Sequence, residues 1–225
     1  MGFWSSVGDA FSSAVSAVGS VCSSIARGLG SAVSTLAPVM EKGLSYLGVI
    51  GSVISIVAQL AGAFKPTENE MEMGDRALQA KEKGIEPDNY ATYEEYLDEI
   101  RNFELDPEKS PTTEFEKTVT AATGILVGLK GIEEKMDMRA GESDHLLRLV
   151  ILSPDFFNAE KINGMLKKDT DFEKIADYFD GKLTASENRE VRGEVFNLVK
   201  EGTPSMSDEA VYGTISELKD KEPLA

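Results

Sequence analysis

The residues that could do chemistry are few. The chain carries one histidine, His145, and one cysteine, Cys22, far apart in sequence. That pair offers neither a His/Cys metal set nor a Cys–His dyad. Asp144 beside His145 could be joined by a serine, but no nucleophile elbow or other triad context accompanies them. The stretch from Asp180 through Gly181 to Glu187 resembles the second half of a calcium loop. Aligning Gly181 with the loop glycine, however, puts Ala176 and Tyr178 where oxygen ligands belong. Phosphate-binding loops and dinucleotide fingerprints are missing, and carboxylate pairs are too common in so acidic a chain to single out a site. The expectation is a protein that is not an enzyme, with no metal and no cofactor.

Polar chemistry of another kind is set into residues 43–64, GLSYLGVIGSVISIVAQLAGAF, which contain no charged side chain. Small or polar residues recur there every three or four positions, at Ser45, Gly48, Ser52, Ser55, Gln59 and Gly62, with Gly51 beside them, and so share one side of a helix. Leu44, Leu47, Val49, Ile50, Val53, Ile54, Ile56, Val57, Leu60 and Phe64 cover the rest. As one helix the run would measure roughly 33 Å, close to the hydrocarbon core of a bilayer. Lys42 and Lys65 bracket it. The pattern suits a self-associating transmembrane helix, with the large residues in lipid and the small, polar side turned to a partner helix or a narrow aqueous path. A central core helix of an all-α domain reads the same way.

The element before it has its own period. SSVGDAFSSAV from Ser5, SAVGSVCSSIA from Ser16 and RGLGSAVSTLA from Arg27 align without gaps at eleven residues, or three helical turns. Val7, Phe11 and Ala14, then Val18, Cys22 and Ile25, then Leu29, Val33 and Leu36 therefore stay on one stripe, which continues through Met40, Leu44 and Leu47. The opposite side is serine and glycine rather than charge. Either the helix is buried against the protein or forms a flexible arm, or it suits lipid and close helix contact. The first residues also match the bare myristoylation pattern, against which the bulky Phe3 and Trp4 speak.

The two parts differ in charge. Residues 1–65 hold two acids and three bases, whereas residues 66–225 hold 37 acids and 20 bases, in a chain of formal net charge −16. So acidic a body repels phosphate and excludes nucleic acid as a partner. No basic n-region precedes an apolar core, so no classical secretory signal is expected. After residue 65 the texture is that of short amphipathic helices with clear punctuation. The spacing predicts helices near 69–83, 90–104, 112–138, 143–152, 154–168, 171–180, 185–200 and 207–219. Thr113 with Glu116, Thr170 with Glu173 and Thr184 with Glu187 have capping-box spacing, Ser153-Pro154 reads as a helix start, and Gly84, Gly181 and Gly202 as stops. The uncharged residues 118–129, with Gly124 and Gly128 in GxxxG spacing, are too short to span and read as a core helix. Tyr90, Tyr93, Tyr96 and Phe103 read as a docking face for another helix. The fold class is all-α, divided into a hydrophobic region, 1–65, and an acidic helical domain, 66–225.

Through SSAVSAVGSVCSSIA and GVIGSVISIVAQLAG the first 65 residues resemble the small ion-selective pore-forming effectors of bacterial type VI secretion, and more loosely the hydrophobic hairpin of pore-forming colicins. The resemblance implies a toxin that is soluble in the producing cell, leaves without a signal peptide, and depolarises a target-cell membrane. Its partners would be lipid, further copies of itself in the membrane, an immunity protein and the secretion apparatus. Insertion would turn residues 40–64 into lipid, paired with residues 5–36 as a hairpin broken near Pro38. Two other functions fit the same residues. One is a virion or tail component with a threading hydrophobic arm; the other is a soluble helical adaptor with residues 43–64 as its core.

Overall fold

A computed structural model describes residues 16–19, 29–201 and 203–221, and these are helical with no strand. A helical turn at residues 16–19 precedes ten α-helices: α1 Gly30–Glu41, α2 Leu44–Leu60, α3 Glu70–Glu82, α4 Tyr93–Asn102, α5 Glu114–Lys135, α6 Glu142–Leu152, α7 Ala159–Lys167, α8 Phe172–Phe179, α9 Ala185–Lys200 and α10 Asp208–Lys219. The all-α expectation is met.

α5 is the axis. Every residue from Thr118 to Leu129 is buried, so the uncharged run is a core helix with neighbours on all sides. α3 makes the most extensive contact with it, and α2 the next. The α3–α5 crossing is a contact of backbones. A Cβ added to Gly74 would lie 2.0 Å from the Thr120 carbonyl oxygen, and one added to Gly124 would lie 1.7 Å from that of Glu70. Only glycine allows this approach. Further along α5, Gly128 faces Phe64 and Ile54, and Gly131 faces Ala63, so the GxxxG spacing serves packing within the chain.

Residues 43–64 are not one helix. Gly43 (φ 94°) precedes α2, and Gly62 (φ 80°) closes it with a left-handed turn in which the Ala63 N–H donates back to the Ala58 carbonyl at 2.8 Å. The 17 residues of α2 rise only about 26 Å. Among the described residues no helix is long and apolar enough to cross a membrane, and this overturns the pore-forming reading. The break expected near Pro38 falls elsewhere too. α1 runs through Pro38, with Val39 and Met40 buried beyond it, and stops at Lys42.

Several helix starts follow the predicted chemistry. Thr113 with Glu116 and Thr184 with Glu187 form reciprocal capping boxes, and hydrogen bonds from the backbones of Thr113 and Thr112 hold the Glu116 carboxyl down to about 2. Thr92 with Glu95 forms a third, unforeseen box. Elsewhere a neighbour wins. Asp171, not Thr170, caps α8, accepting from the Lys174 N–H at 3.0 Å. After Ser153-Pro154 the chain makes a turn that buries Phe157, and α7 starts only at the Asn158 cap. Gly84 and Gly181 take positive φ as helix stops; Gly202 lies outside the described residues. The tyrosines dock α4 as expected: Tyr93 and Tyr96 are buried, and the Tyr93 hydroxyl donates to the Val127 carbonyl on α5 at 3.3 Å.

Because the α3–α5 crossing has no room for a methyl group, Gly124→Ala is expected to destabilise the protein by about 3 kcal/mol. Gly193→Ala, on exposed α9 with open space around it, should gain up to ~1 kcal/mol. Urea unfolding of the two variants checks both.

Candidate functional site

The α2 residues assigned to membrane contact and to self-association divide three ways. Leu47, Ile50, Ile54, Val57 and Phe64 are core, and Leu44 and Val53 are half-buried. With α2 packed chiefly against α5 and also against α7, α1, α3 and α6, the buried ones are not free to face lipid. Of the small and polar set, Gly51, Ser55 and Gln59 are spent inside the chain. Gly51 backs onto the Glu70 side chain, 2.7 Å from an added Cβ. The Ser55 hydroxyl donates to Glu70 Oε2 at 2.7 Å and accepts the Glu70 N–H at 2.9 Å, so it covers the otherwise open first amide of α3. Gln59 Nε2 donates to the Glu68 carbonyl at 2.8 Å.

Glu68, itself buried, extends this set. Its carboxylate accepts the Lys65 N–H at 2.7 Å and Arg101 Nε at 2.9 Å. Arg101 also donates to Asp98 and to the Ala63 carbonyl. Burial works against the Arg101 charge, but its hydrogen bonds and ion pairs with Glu68 and Asp98 more than compensate, and its pKa stands above the ordinary arginine value. Of the side expected to line an ion path, Gly51, Ser55 and Gln59 are instead part of a latch that fixes the α2–α3 connection, while Ser45 and Ser52 are exposed. Gly62, expected on that side, is the exposed cap of α2.

What remains is a face. Ser45, Val49, Ser52, Ile56 and Leu60, spaced by four, three, four and four residues, all point outward. Val49 is 46%, Ile56 43% and Leu60 54% exposed, with half-buried Val53, Gly48 and Gln59 at the margins. Seventeen residues of helix thus present no charge to the outside. An outer face is ordinarily charged, and apolar surface gathered on one is characteristic of contact sites.

A cleft of about 570 Å³ opens where the end of α1 and the start of α2 meet α6 and the end of α8, lined by Lys42, Tyr46, Arg148, Asp155, Asp180 and Lys221. Its cations are already engaged. Arg148 donates to Asp177 at 3.0 Å, to Asp180, and to His145 Nδ1 at 2.9 Å. Burial would raise the Asp180 carboxyl, but Lys182 and Arg148 outweigh it and hold the pKa low. Lys221 donates to Ser153 Oγ at 2.7 Å, and Lys42 lies over the Tyr46 ring. The cleft is internally balanced, whereas the α2 face is unspent. Among the described residues no group of three or more His, Cys, Asp or Glu side chains is placed to hold a metal ion. Cys22 and the myristoylation pattern lie outside the described residues.

The latch was not readable in advance. Arg101 is 33 residues from Glu68 and 38 from Ala63, and no local pattern announces such pairing. No protein family matches the chain, and no curated protein or solved structure matches it either.

Ser55→Ala would leave the Glu70 amide and carboxylate unpaired in a largely buried place, and is expected to cost about 1–3 kcal/mol. Ser52→Ala, one turn away on the exposed face, should stay within about 0.5 kcal/mol. Urea midpoints of the two variants measure the difference.

Proposed function

We propose that the protein is a helical docking module whose α2 outer face receives the apolar stripe of a basic amphipathic helix from a partner protein. The observation that carries this is the exposed row Val49, Ile56 and Leu60 on an otherwise well-buried helix. Positions seven and eleven residues beyond Val49 repeat along one helix side, which is the ladder that helix-against-helix recognition reads. The polar groups favour binding over turnover, because Ser55, Arg101 and Arg148 are each occupied in holding the fold.

Charge selects the occupant. The face contributes none, while the chain around it carries a formal net charge of −16. A partner with apolar residues at the centre and lysine or arginine at the flanks is drawn in by the acidic field and meets no unpaired charge on arrival. The contact is small, resting on three large side chains and Val53, and belongs with transient interfaces.

A fluorescently labelled synthetic leucine–lysine amphipathic helix serves as the probe. The chain is expected to bind it, with affinity falling as salt rises. Ile56→Lys and Leu60→Lys should each weaken binding about tenfold or more without changing the circular dichroism. Equal binding by wild type and both variants, or equal binding of a leucine–glutamate helix, would overturn the proposal.

A further inference from the structure

A pocket of about 360 Å³ opens between α8, α9 and α10, with Tyr178, Arg189, Arg192 and Tyr212 among its walls. Its arginines differ from the others described. Arg76, Arg101, Arg139 and Arg148 each pair with a carboxylate. Arg189 and Arg192 form no ion pair among the described residues, although acids outnumber bases in the chain by 39 to 23. Glu187, at the start of the same helix, is spent on the Thr184 cap. What holds the cations here is aromatic. The Arg192 guanidinium lies over the Tyr212 ring at 5.0 Å, and Phe196 packs against that ring with centroids 5.3 Å apart. Lys219 Nζ sits 3.5 Å over the Tyr178 ring.

A ring face attracts a cation without cancelling its charge or using its in-plane N–H donors. Arg189 stands three residues before Arg192 on one side of α9, so two guanidinium forks share one concavity with their donors unspent. We propose that this pocket binds the dianion of a phosphate monoester. Two forks match its oxygens bidentately, and both arginines are exposed, which leaves the ester group free to extend into solvent. The acidic body repels a polyanion along its length. A single phosphate in the pocket meets chiefly these cations, because exposed charges beyond about 8 Å are screened at physiological salt. No residue of the α2 face takes part, so the two sites stand or fall separately.

Calorimetric titration of the full chain with phenyl phosphate tests this, at about pH 7.5 where the monoester is dianionic. Binding is expected to saturate. Arg189→Gln and Arg192→Gln should each weaken it about tenfold, with the circular dichroism unchanged. Tyr212→Leu, which removes the platform but no charge, should weaken it about threefold. Lys83→Gln, which removes an exposed charge just past α3, should leave it as in wild type. A phosphotyrosine peptide that binds more tightly than phenyl phosphate would place the phosphate on a protein, and equal binding would place it on a small ester; either supports the site. Binding that never saturates, binding unchanged in both arginine variants, or an equal loss in Lys83→Gln would overturn the proposal.

Discussion

The contact on which the structure depends is the one between the backbones of α3 and α5. Gly74 and Gly124 let the two helices meet without side chains between them, and this places the start of α3 against the middle of α5. Glu70 then lies where Gly51 and Ser55 of α2 can receive it. The same line of small residues on α5 continues to Gly128, which admits Phe64 and Ile54, and to Gly131, which admits Ala63. One row of missing side chains thus seats the first residue of α3, the turn after α2 and the inner side of α2. Close packing leaves such a row little freedom to change, because even one methyl group must displace backbone.

Seated in this way, α2 has distinct sides. Its inner side is ordinary core. Its flank is a hydrogen-bonded latch of Ser55, Gln59, Glu68, Glu70 and Arg101, which satisfies groups that would be costly to bury alone. Its outer side has no charge and no partner among the described residues. Hydrophobicity averaged along the sequence mixes these environments. That is why an apolar run of near-spanning length turns out to be mostly core, latch and cap, with a single exposed row along it.

Much of the fold was legible from local chemistry. Capping boxes, positive-φ glycines and the 3.6-residue period depend on residues a few positions apart, and α9 and α10 begin and end within one residue of the predicted spans. At its described positions, Val18, Leu29, Val33, Leu36, Met40 and Leu47, the eleven-residue stripe is buried, so those residues do share a side; Val7, Phe11, Ala14, Cys22 and Ile25 lie outside the described residues. Sequence could not say what that side faces, because lipid, a partner helix and a protein core all favour the same residues. Gly62 illustrates the limit: on a continuous helix it belongs to the small-residue side, yet its φ makes it the residue that ends the helix. The latch was illegible for a different reason, since Glu68 and Arg101 meet only after α3 and α4 have folded back on α5.

A two-sided α2 is tested most directly by single cysteines placed along it in a Cys22→Ser chain and probed with a thiol reagent, with and without lipid vesicles. Cysteines at 49, 56 and 60 should react quickly, those at 50, 54 and 57 slowly, and vesicles should alter neither group. Uniform reactivity around the helix, or protection of positions 49, 56 and 60 by vesicles, would contradict a core helix with one outward docking face.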